Sequence, residues 1–194
     1  MVAAVDPKQA LSLDQFLAQP ETKPAREYVA GIVTPKPMPK GKHSTLQFEL
    51  ASAINQRAKS QKIAYALPEL RCTFADRSIV PDIAVLRWEN LPRDQDGEIS
   101  DRIERHPDWI IEILSPDQGS TLVMEKILFC LQQGTELGWL IDPQAKAVMV
   151  FQSGLPKVHL VDPEEPMEPE PLALLSGLDD WQLFASDIFN WLKV

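Results

Sequence analysis

Residues 107–116 read Pro107-Asp108-Trp109-Ile110-Ile111-Glu112-Ile113-Leu114-Ser115-Pro116, and the near-continuous apolar run from Trp109 to Leu114 decides the fold class. A strand with one wet face alternates apolar and polar residues, whereas a run that is apolar on both faces needs cover on both sides. Two flanking segments can supply that cover. From His43 to about Lys59, Leu46, Leu50, Ala53 and Ile54 fall on one face at 100° per residue, with His43 on the same face. Beyond the Ser115–Gly119 turn, Ser120 or Thr121 can cap a second helix that runs to Gln133, where Gly134 is placed to end it.

Working outward, Ser12 and Gln15 have the form of a capping box and open a short helix that Pro20 stops. Arg26–Val33 reads as a first strand. The next stretch, Thr34–Lys42, contains Pro35, Pro37 and Pro39, which exclude both a helix and a central strand and leave a loop. Further strands are expected at Ile63–Leu67, Leu70–Phe74 and Ile79–Leu86, followed by a polar surface excursion over residues 88–107. Leu137–Ile141 and Ala147–Phe151 flank the turn signal Asp142-Pro143. This order predicts an α/β fold, a single domain with a central mixed β-sheet flanked by helices. The chain divides into an N-terminal helix and lead-in (1–24), a core (25–161), and an acidic proline-rich connector with a closing apolar element that packs back on the core (162–194).

Composition bounds the function. With 194 residues, 44% hydrophobic and 24% charged, the chain can bury one core, and collagen-like, disordered and membrane-embedded classes are excluded. No apolar run reaches the roughly 18 residues that span a bilayer, and Cys72 and Cys130 lack metal-ligand spacing, so a reducing cytoplasm is expected. The net charge of -9 is unevenly spread. Residues 162–194 carry eight acids against Lys193, while residues 23–62 carry eight bases against Glu27 and Glu49. If nucleic acid is bound, the loop lysines Lys36, Lys40 and Lys42 are the expected phosphate contacts.

Glu112 is the oddest residue, a carboxylate inside an apolar strand. An unpaired buried charge costs several kcal/mol, at least ~2, so Glu112 needs a cation, a hydrogen-bond partner or a raised pKa. It is either a strand-end acid paired to a structural arginine or a functional carboxylate. Asp82 follows Pro81 at the start of another apolar run, and two carboxylates from neighbouring strands would make a hard oxygen site for Mg2+ or Mn2+. Lys126 lies on the boundary of the second helix's apolar side, a place for a snorkelling lysine or for one that crosses to Glu112. His43, inward at a helix start, is a capping or core group or a ligand contact; Glu49 lies at the edge of the same face. There is no glycine-rich phosphate loop and no G-x-S-x-G elbow, and Cys130, between Phe129 and Leu131, reads as packing.

Pro81-Asp82-Ile-Ala-Val, then Pro107 to Pro116 with Glu112, then Lys126, then Gly134-Thr-Glu-Leu-Gly-Trp139-Leu-Ile-Asp142-Pro143 together resemble the Uma-type restriction endonuclease family of the PD-(D/E)XK nuclease superfamily. The resemblance also takes in Glu27–Gly31, His43 and Leu183-Phe184. It implies a restriction-endonuclease-like fold and a Mg2+-dependent (or Mn2+-dependent) endodeoxyribonuclease, with nucleic acid, DNA above all, as partner and a homodimer as assembly. By similarity Asp82 and Glu112 are metal ligands. The catalytic lysine, absent at Leu114, is supplied by Lys126 from the next helix, with His43 and Glu49 added to the catalytic set. Leu122 and Cys130 replace an acid and a tyrosine often found around that lysine. The alternative they leave open is an inactive nucleic-acid-binding or regulatory protein on the same fold.

Overall fold

The computed structural model describes residues 11–116, 118–161 and 170–193. Its framework is a six-stranded sheet in which the apolar run is an inner strand. In chain order the elements are α1 (Leu13–Leu17), β1 (Arg26–Val29), β2 (Ile32–Pro35), α2 (Gly41–Ala58), β3 (Ala64–Pro68), β4 (Cys72–Phe74), β5 (Arg77–Ile79) and β6 (Ile83–Arg87). There follow β7 (Trp109–Ile113), α3 (Ser120–Gln132), β8 (Leu137–Asp142), β9 (Ala147–Phe151), β10 (Lys157–Leu160) and α4 (Ala185–Asn190). The large sheet has the order β10-β9-β8-β7-β6-β3, and a second, four-stranded sheet has the order β2-β1-β5-β4. Among the described strands of the large sheet only β7 and β8 pair in parallel, joined by the α3 crossover, so the central sheet is mixed, as the sequence implied.

Period-two alternation on β7 assigns its faces. Trp109, Ile111 and Ile113 pack with Leu46, Leu50 and Ile54 of α2 and with the C-terminal Leu178, Ile188 and Phe189. Ile110 instead joins Val123, Ile127 and Cys130 of α3. Each helix therefore covers one face of the strand, and Glu112, in phase with Ile110, points to the α3 side. At ~25 cal/mol per Å2 of apolar surface, this two-sided burial is the main favourable term holding the sheet. α3 comes close: a Cβ added at Gly138 of β8 would stand 2.4 Å from Ile127 Cγ2.

Several boundaries differ from the sequence reading, each for a local reason. Arg26–Val33 is not one strand but the β1–β2 hairpin, which folds back at Ala30 and Gly31, both in the left-handed region at φ 49° and 84°. Such a two-residue turn favours Asn or Gly at its first position, and Ala30 hides the signal. Ile79–Leu86 is likewise two strands in different sheets, divided around Pro81, which has no N–H to continue a ladder. β2 extends over Thr34 and Pro35, into the segment read as loop. The 88–107 excursion is not merely superficial, because Leu91 and Ile103 are buried in the α3-side core. α3 is entered through Gly119 with no side-chain cap, so neither Ser120 nor Thr121 caps it. β10 was not foreseen. The expected connector at 162–171 lies mostly outside the described residues. No helix among the described residues is long and apolar enough to cross a membrane.

Candidate functional site

The register that pairs Ile83 with Ile111 brings Asp82, just before β6, alongside Glu112 at the same end of the sheet. Both are buried, at 3% and 2% exposure. Asp82 follows Pro81 at the bend before β6; its carbonyl accepts the Glu69 N–H at 3.2 Å, and its carboxylate is fully engaged. Oδ2 accepts the Ile113 backbone N–H at 2.7 Å and lies 3.1 Å from His43 Nε2, while Oδ1 accepts from Lys36 Nζ at 2.8 Å. His43 reaches it from the first turn of α2, and Gln47, one turn on, donates to the Asp82 carbonyl at 2.8 Å and to Glu69 Oε1 at 3.1 Å. Lys36 also lies 3.1 Å from Glu69 Oε1.

Glu112 is treated differently. Lys126 Nζ, arriving from α3, stands 3.1 Å from Glu112 Oε1. That approach is off the hydrogen-bond direction, so the buried Oε1 atom accepts no hydrogen bond. The ammonium instead donates to Glu27 Oε1 at 2.9 Å, and the same oxygen accepts the Val80 backbone N–H at 2.8 Å. His43 Nδ1 is also buried and unpartnered.

These contacts split the two carboxylates electrostatically. Burial alone would raise the pKa of Asp82, but the His43 hydrogen bond and the charges of Lys36 and His43 outweigh it and hold the group well below the usual carboxylate range. At Glu112 burial wins over the attraction of Lys126, and the neighbouring Asp82 charge adds to it, pushing the carboxyl up to about 8. Burial would depress the Lys126 ammonium, yet Glu112 and Glu27 hold its pKa above the ordinary value. Lys36 is raised too: burial opposes its charge, and Asp82 and Glu112 favour it more strongly.

The structure thus gathers Asp82, Glu112, Lys126 and His43 at one end of the sheet. Glu49 is not brought there: it is half-buried on α2, and no hydrogen bond or ion pair among the described residues joins it to the cluster. Lys40 and Lys42 are exposed around the start of α2. Lys36 is a correction. It was expected in solvent as a phosphate contact, but its side chain is only 9% exposed and lies inside the cluster, because two carboxylates compensate its desolvation. Sequence reasoning gave no site role to Glu27, Glu69 or Gln47. For Glu27 a signal existed, since it is one of two acids in a basic stretch and precedes Tyr28, a buried strand residue.

Residues 13–183 match the Uma2 family, described as "Putative restriction endonuclease". Among solved structures, the chain is similar to a crystal structure of "a putative nuclease belonging to DUF820" from Anabaena variabilis ATCC 29413. The two share 46% identity with a TM-score of 0.87, over 93% of this chain and 98% of that one. No curated protein matches. With the family match running from α1 almost to α4, the chain belongs to the Uma2 family.

Proposed function

We propose that this site hydrolyses phosphodiester bonds of nucleic acid, DNA first of all, with Asp82 and Glu112 holding Mg2+ or Mn2+. The observation that carries the reading is a buried carboxyl oxygen left open beside a second carboxylate. Four carboxylates, Glu27, Glu69, Asp82 and Glu112, share the ammoniums of Lys36 and Lys126, and Glu112 Oε1 is buried without a hydrogen bond. A divalent cation would take the place of the proton that burial otherwise holds on Glu112. Among the described residues no three or more His, Cys, Asp or Glu side chains form a metal cage. The donor set nevertheless fits Mg2+, which commonly takes one or two carboxylates and keeps several waters. When bound, such an ion polarises a phosphate oxygen and lowers the pKa of a water.

The protein's own groups do the rest. Glu27 fixes the Lys126 ammonium beside Glu112, where a positive charge lowers the cost of negative charge growing on a phosphate in the transition state. His43 and the Ile113 N–H hold Asp82 in one rotamer, and Gln47 ties the backbone of Asp82 to α2. Exposed Lys40 and Lys42 are the surface contacts for the phosphate backbone.

A second reading, a nucleic-acid-binding protein that does not cut, is favoured by one contact, the Lys36 ammonium on Asp82 Oδ1. Cleavage of mixed DNA and RNA substrates with Mg2+ or Mn2+ separates the two. Hydrolysis by the wild type, lost in Glu112→Gln and reduced in Lys126→Ala, supports the nuclease. Nucleic-acid binding without hydrolysis under either metal supports the second reading.

A further inference from the structure

We infer that Lys36 is a tethered cation that competes with the divalent ion for Asp82, so that this chain weakens its own metal site. The inference rests on the metal-dependent reading above and deepens it.

Asp82 offers its oxygens to three side-chain and backbone partners, and only one is mobile and charged at the end of a long stem. The Ile113 N–H belongs to a central strand, and His43 belongs to α2. Lys36 Nζ, 2.8 Å from Oδ1, is carried by four methylenes. Its backbone does not need to move: the Lys36 N–H is fixed to the Ala25 carbonyl at 2.8 Å, so rotation of the side chain alone releases the ammonium. A divalent ion on Asp82 would put three positive charges within reach of one carboxylate in a site where water is largely excluded, and such charges repel strongly. One cation must leave.

Glu69 supplies the place for it to go. The Lys36 ammonium bridges Asp82, which is buried, and Glu69, whose side chain is 43% exposed. Retreat toward Glu69 keeps one ion-pair partner and recovers hydration, so release leaves no naked charge in the core. Lys126 is not equivalent. It approaches Glu112 without a hydrogen bond and is anchored on Glu27, so it leaves the facing Glu112 oxygen open where Lys36 covers Asp82 Oδ1.

The test is Mn2+ binding by calorimetry to the full chain, without nucleic acid, for wild type, Lys36→Met and the charge-keeping Lys36→Arg. Lys36→Met should bind Mn2+ tighter by about tenfold or more, on the scale of a broken buried ion pair. Lys36→Arg should stay close to wild type, and Asp82→Ala should abolish binding in each background. If Lys36→Met is too unstable to purify, Lys36→Gln replaces it, with the Mn2+-induced shift in melting temperature as a second readout. An affinity equal to or weaker than wild type in the neutral variant overturns the competition and leaves the nuclease reading standing. No Mn2+ binding by either wild type or the neutral variant overturns both.

Discussion

Lys126 lies 3.1 Å from Glu112 yet hydrogen-bonds Glu27, so its charge goes to one carboxylate and its donor to another. The arrangement leaves the Glu112 oxygen facing the ammonium without a hydrogen bond while keeping a positive charge beside it. A direct bond would have taken one of that oxygen's lone pairs and left less room for another ligand. Glu27 therefore decides whether Lys126 is a structural counter-ion or a site group, although the two are far apart in the chain.

Glu27→Gln should show that division of labour. The amide can still accept the Val80 N–H, so the strand contact survives, but Lys126 loses its charged partner and turns its donor to Glu112. Stability should fall by about 1–3 kcal/mol, the cost of weakening a hydrogen-bonded buried charge. Cleavage should drop more, roughly 100-fold, because a catalytic group moved by about 1 Å loses that much. Urea unfolding and initial cleavage rates measured on one preparation give both numbers; an unchanged rate with lowered stability would make Glu27 purely structural.

The depth of Lys126 is set by packing next door. Ile127 Cγ2 lies where a Cβ on Gly138 would come within 2.4 Å, and Ile127 packs in the core between α3 and the sheet. Gly138→Ala should force α3 outward, costing about 1–3 kcal/mol as overpacking. Because Lys126 is the preceding residue, the same shift should lower cleavage. A melting curve and a rate assay check it, and a fully active, equally stable variant would show that α3 tolerates the displacement.

Exposed Lys40 and Lys42 are expected to touch phosphate rather than to perform chemistry. Making both Ala should reduce the slope of log K against log salt for duplex DNA by about 0.9 per lost contact. Binding titrations between low and moderate salt measure it. Loss of affinity with an unaltered slope would place the phosphate contacts elsewhere.

How much of this was legible follows from what each residue depends on. β7 and α2 announced themselves through local pattern, since a doubly apolar run and a 3.6-residue period are properties of neighbours in the chain. Glu112 stood out for the same reason, as the one polar residue in that run. Its partner Lys126 was placed by local pattern only at the edge of an amphipathic face, where a lysine is usually solvated, and the family resemblance was needed to prefer a site role. That Glu27 and Lys36 join the site did not follow from local pattern, although Glu27 is one of only two acids in a basic stretch. Each is held by a residue distant in sequence, and Lys36 sits among prolines in a basic stretch that reads as solvent-exposed loop. Only the return of the β1–β2 hairpin toward the sheet end buries them, and Ala30 in place of Asn or Gly concealed that hairpin.

The raised Glu112 carboxyl gives the stability of the protein a pH signature of known sign. In the unfolded chain Glu112 titrates near the ordinary glutamate value of 4.5, whereas burial holds it up to about 8 in the fold, against Lys126 and with the added repulsion of Asp82. Between those values the folded state binds the extra proton, so stability is fully present below the unfolded pKa and is lost as pH rises through the folded one. Of the other groups facing it, Lys36 pulls the carboxyl down and Glu27 pushes it up, and neither outweighs burial; an unfolded lysine keeps its charge across this window, so Lys36 does not reverse the slope. Asp82 works in the opposite sense and in a different range. Its carboxyl is held low, so its contribution is present above about pH 4 and is lost on acidification. Urea midpoints measured in chelator from pH 3 to 9 should therefore rise on leaving acid and then decline toward pH 8. Glu112→Gln should flatten the decline without touching the acid limb, and Mn2+ should reverse it in the wild type if, as proposed, it takes the deprotonated Glu112 carboxylate as a ligand. A wild-type midpoint that stays level from pH 5 to 8 in chelator would mean that Glu112 is already ionised in the fold, with Lys126 outweighing burial.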